Sequence, residues 1–60
     1  MIDDTVRLNW LLAHPGAEWD VGRTSHYITW FSESYRYVVE GGDWRECIDN
    51  AIAGKAVRIT

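Results

Sequence analysis

The chain has one cysteine and one proline among its sixty residues. With Cys47 alone, no disulfide can close within the chain. The candidate metal ligands His14, His26 and Cys47 are scattered. They lack the paired spacing of a zinc site, so no metal or other cofactor is expected. No apolar run approaches the ~20 residues that span a bilayer, and no basic-then-apolar signal peptide opens the sequence. Basic residues are scarce: six Lys and Arg stand against nine Asp and Glu, for a net charge of −3. That balance argues against direct contact with nucleic acid or anionic membrane, which need a basic footprint. A single unpaired cysteine fits a reducing cytoplasm. The expectation is one soluble cytoplasmic domain over residues 1–60.

Aromatic residues are plentiful: four Trp, three Tyr and one Phe. A chain this short buries only about 60% of the surface its unfolded form exposes. Without staples, its core must come from large rings. The stretch His26 to Glu40 reads HYITWFSESYRYVVE. Two runs rich in aromatic and β-branched residues flank Ser32-Glu33-Ser34, the composition of two strands joined by a polar turn.

The flanking segments must cover those strands. Asp3-Asp4-Thr5 suits a helix start, and Leu8, Leu11 and Leu12 form one apolar stripe of a first helix to His14. Val6, Trp10 and Ala13 fall elsewhere on its wheel. Pro15-Gly16 ends it. Ala17 to Val21 alternates as a half-buried strand with Glu18 and Asp20 outward. His26 to Phe31 is apolar on both faces, as a central strand is. Tyr35 to Glu40 points Tyr35, Tyr37 and Val39 one way and Arg36, Val38 and Glu40 the other. Gly41-Gly42 breaks the sheet. Asp43 then opens a second helix with Glu46 three residues on, a variant capping box, and Gly54 stops it. Trp44, Cys47, Ile48, Ala51 and Ile52 make its inner stripe; Asp43, Glu46, Asp49 and Asn50 take the other side. Lys55 to Thr60 either adds an edge strand or frays.

The predicted fold is therefore α+β: helix, three-stranded antiparallel meander, helix, with both helices on one sheet face.

No catalytic motif stands out. Both histidines read as structural, His14 at helix-end carbonyls and His26 at a strand start. Cys47 sits on an apolar stripe, where cysteine behaves as a small hydrophobe. Ser32 and Ser34 lack a nucleophile elbow. Sixty residues leave little room for a cleft and its supporting shell, so no enzyme is expected. What remains is surface. Asp43, Glu46, Asp49, Glu18 and Asp20 form a spaced set of negative charges. In such a small chain some rings must reach solvent, with Trp10, Tyr27 and Phe31 as candidates. Exposed aromatics often anchor interfaces.

The segments RLNWLLAHP (Arg7 to Pro15), YITWF (Tyr27 to Phe31) and YRYVVEGGDWRECIDNAIAG (Tyr35 to Gly54) resemble small α+β proteins encoded by phages and prophages. Some of those are anti-CRISPR proteins or other inhibitors of host defence. The resemblance implies small size, a cytoplasmic location, no enzymatic activity and a protein target; it assigns no role to any residue. Joined to the surface reading, it gives a monomeric inhibitor of a host protein or nucleoprotein machine such as a CRISPR-Cas surveillance complex. Asp43, Glu46, Asp49, Glu18 and Asp20 would make charge contacts, with Trp10 and Tyr27 as anchors. The alternative is a small structural or regulatory module that self-associates through an open sheet face or edge strand.

Overall fold

A computed structural model describes residues 2–59. The elements follow in the order α1 (Asp4–Ala13), β1 (Glu18–Val21), β2 (His26–Ser32), β3 (Tyr35–Gly41), α2 (Trp44–Ile52) and β4 (Val57–Arg58). The four strands form one antiparallel sheet in the order β1-β2-β3-β4. The fold is the α+β arrangement read from the sequence, with the tail resolved as an edge strand. The chain measures 30 × 28 × 17 Å. Its thin dimension is two layers deep: among the described residues, both helices lie on one sheet face and no element covers the other.

Local chemistry places each helix. Asp3 caps α1 by accepting from the Val6 amide at 3.0 Å. Asp43 caps α2 by accepting from the Glu46 amide at 2.8 Å, and Glu46 Oε1 reaches back to the Gly42 amide at 2.8 Å. The first bond satisfies an amide that a helix start leaves orphaned, and the second ties down the residue before the cap. At the other end Gly54 adopts φ +78°. Its amide donates to Ala51, and the Lys55 amide to Asn50. These are the two bonds of a Schellman stop, which glycine enters without a Cβ penalty.

The core lies between α2 and the middle strands. Ile28, Trp30, Val39, Cys47 and Ile48 are buried. Strand alternation sets this out: Ile28 pairs with Val39 and Trp30 with Tyr37 on the helix-facing side. Trp19 of β1 meets Trp44 edge-on, with centroids 4.8 Å apart.

Helix α1 departs from the expected orientation. Leu8 and Leu12 are 55% and 70% exposed. The covered set is Arg7, Trp10, Leu11 and His14, spaced i, i+3, i+4, i+7. Two larger contacts outweigh the leucine stripe. The Trp10 ring meets Trp30 edge-on at 5.2 Å and stacks on His14 at 4.1 Å. Arg7 grips Asp49 of α2 with Nε–Oδ1 at 2.7 Å and a second bond at 2.9 Å. His14 is structural as read: Nδ1 lies 2.7 Å from the Trp10 carbonyl oxygen.

The fork from Arg7 holds the Asp49 carboxyl below its ordinary pKa, and hydrogen bonds from Arg45 and Arg7 do the same for Asp4. A carboxylate depressed in the folded state contributes stability above the ordinary value of about 4 and loses it as pH falls through the folded value. Asp49→Asn is therefore expected to lower the urea midpoint at pH 7. The gap from wild type should narrow toward pH 2. Equal gaps at both pH values would mean that the charge contributes nothing.

Candidate interaction surface

The sheet face opposite the helices is bare, and register fixes what it displays. Across β1, β2 and β3, Asp20 pairs with Tyr27 and Tyr27 with Glu40. The next row runs Glu18, Thr29, Val38, Val57. The third sets Phe31 beside Arg36. Adjacent strands lie about 4.8 Å apart, so Asp20 and Glu40 flank the Tyr27 ring from both sides. Gly22 lies under that ring, where a β-carbon would come within 2.8 Å of Tyr27 Cε2. Tyr27, Val38, Glu40, Lys55 and Val57 together line a shallow open groove.

Negative charge continues from this face to the start of α2. Glu40, Asp43 and Glu46 all act on the Cys47 thiol from nearby. Glu18, Asp20, Glu40, Asp43 and Glu46 are exposed. None of the five makes an ion pair among the described residues; the three ion pairs found there are Arg7–Asp4, Arg7–Asp49 and Arg45–Asp4. The guanidinium groups of Arg36 and Arg58 lie over the Phe31 and Tyr35 rings, at 5.7 and 4.5 Å. Four of the six cations are thus engaged by helix carboxylates or by rings, while Lys55 lines the groove beside Glu40 and Arg23 is exposed in the turn between β1 and β2.

Two expected surface residues do not belong to it. Asp49 is half-buried and turned toward α1, where the fork from Arg7 holds it. Trp10 is half-buried and packed against the core cluster. Phe31, at 72% exposed, is the most exposed ring among the described residues, ahead of Trp19 and Tyr35, and Tyr27 is half-buried on the bare face. Glu40 joins the acidic set on strand pairing alone. Its alternation put it on the outer face, but only the register places it beside Tyr27.

Cys47 is buried, and its thiol donates to the His26 carbonyl oxygen at 2.9 Å. Desolvation, then the charges of Asp43, Glu46 and Glu40, pushes its pKa up. That is the reverse of what a nucleophile needs. The His26 ring lies edge-on to Trp44 at 4.5 Å; only its backbone meets the thiol. Among the described residues no group of three His, Cys, Asp or Glu is placed to hold a metal ion, and no helix is long and apolar enough to cross a membrane.

Comparison with protein-family models, with curated proteins and with solved structures finds no match.

Proposed function

We propose that this protein is a non-enzymatic inhibitor of the phage type. Its target is the basic, nucleic-acid-binding surface of a host protein or nucleoprotein complex, a CRISPR-Cas effector being the favoured case. One observation carries the reading: five exposed carboxylates, on β1, at the end of β3 and at the start of α2, have no ion-pair partner among the described residues. Asp20, Asp43 and Glu46 each engage one oxygen with a backbone amide, and all five keep at least one carboxylate oxygen for a cation on another molecule. Exposed charge of one sign steers encounter with a surface of the other and raises the association rate. Spaced carboxylates also stand in for the phosphates such a target normally holds. The sharper set is Glu18, Asp20 and Glu40 on the face that carries Tyr27, with Asp43 and Glu46 at the start of α2. Asp49 and Trp10 are left out because both serve the fold.

The test is reversal of three exposed acids, E18K/D20K/E40K, which moves the net charge from −3 to +3. The variant should melt within a few degrees of wild type, since exposed substitutions away from partners cost little. In a bacterial strain whose CRISPR system blocks a phage, wild type should restore plaques and the variant should not. Capture of the effector complex from the same strain should fall at least 100-fold. A folded variant that still inhibits and still captures the complex would refute the acidic-surface reading.

A further inference from the structure

We infer that the bare sheet face docks an amphipathic helix of the partner, with an apolar stripe and Lys or Arg along one flank. The inference rests on the acidic reading above and names what that surface holds.

The face is not merely charged. Phe31, Val57 and Ile59 are 72%, 60% and 49% exposed. Phe31 and Val57 lie on the bare side by register, and Ile59 follows Val57 at the strand period. The Ile59 amide donates to the Arg36 carbonyl oxygen at 2.8 Å, which fixes the tail along β3. Val38 and Thr29 join these side chains into one apolar centre. Four strands make a surface roughly 15 Å wide, and a helix with its side chains is about 10 Å across. The 17 Å depth of the domain already holds one helix layer on the far side. A second on this side would complete a sandwich of the sheet.

Charge selects the occupant. Glu18 and Asp20 border the apolar centre along β1 and Glu40 at one strand end, with Lys55 lining the groove beside Glu40, while Arg36 lies between Phe31 and the Ile59 segment at the other end. A helix laid there needs cations along the flank nearest Asp20 and Glu40. A second copy of this chain fits poorly. Face to face, two copies would bring six of these carboxylates together against Arg36 and Lys55 of each.

The probe is a synthetic 18-residue peptide of Leu and Lys with leucines at helical spacing. Its control has the same composition scrambled to destroy the stripe. The patterned peptide should bind wild type at least tenfold more tightly than the scrambled one. Its amide shift changes should map to Thr29, Phe31, Val38 and Val57. Phe31→Ser with Val57→Ser should erase the difference between the peptides, mainly through faster dissociation. E18K/D20K/E40K should weaken both peptides alike. Equal affinity for the two peptides in wild type would overturn the docked helix while leaving the acidic reading standing. Shift changes at Leu8 and Leu12 of α1 would overturn it too, as would a dimer by light scattering that the serine variant dissolves. Indifference of both peptides to charge reversal would count against the acidic reading itself.

Discussion

Gly41→Ala is expected to remove much of the stability of the domain. Gly41 ends β3 and is buried where α2 begins. A β-carbon there would press into the Cys47 amide nitrogen. It would also come within 2.9 Å of the Cys47 Cα and the Glu46 carbonyl carbon. These are backbone atoms of a capped helix, so no rotamer change relieves the clash. Overpacking costs about 1–3 kcal/mol and sometimes more. A sixty-residue domain has only about 3–9 kcal/mol in total, at roughly 0.05–0.15 per residue. A loss of 2–3 kcal/mol lowers the melting midpoint by about 10–20 °C at this size. Gly42→Ala is the control. Its nearest neighbour would be Glu46 Oε1 at 3.5 Å, an ordinary contact. Urea melts followed by tryptophan fluorescence should separate the two variants widely. Equal midpoints would show that α2 can lift from the sheet end at little cost.

That glycine shows where the sequence was legible and where it was not. Residue pattern gave Gly41-Gly42 as a break in the sheet. It could not tell which glycine was needed, because only three-dimensional approach separates a crowded Cβ position from an open one. The strands were legible because alternation has a fixed period of two, so Ile28 had to share a face with Trp30, and Val39 with Tyr37. Helix α2 was legible because its apolar stripe is clean and both ends carry capping residues. Helix α1 was not. Its apolar residues lie on several sides, and the orientation was set by Arg7, a charged residue that pattern reading assigns to solvent. The same ion pair misled the reading of Asp49, since a partner 42 positions away leaves no local trace. Glu40 shows the converse. Its outward direction was readable from alternation, but its place beside Tyr27 needed the strand register.

Trp30→Ala is expected to leave the chain largely unfolded at room temperature. Trp30 is 9% exposed, and three other rings converge on it. Trp10 of α1 meets it edge-on at 5.2 Å, His14 at 5.6 Å, and Tyr37 of β3 stacks on it at 6.0 Å. Replacing a buried tryptophan by alanine costs about 3–5 kcal/mol, comparable to the whole stability of a domain this small. Among the described residues the backbone of α1 packs on α2, and its rings are what reach the sheet, so the deletion loosens the covering helix along with the contacts. Far-UV circular dichroism is the right readout, since the variant loses a fluorophore. Trp10→Ala should fall between this variant and wild type, because its ring is only half-buried. The comparison also tests where Trp10 belongs. A surface anchor would lose partner binding at unchanged stability, whereas a covering ring loses stability first. A Trp30→Ala protein that melts within a few degrees of wild type would mean that the Arg7–Asp49 bridge alone holds α1 in place.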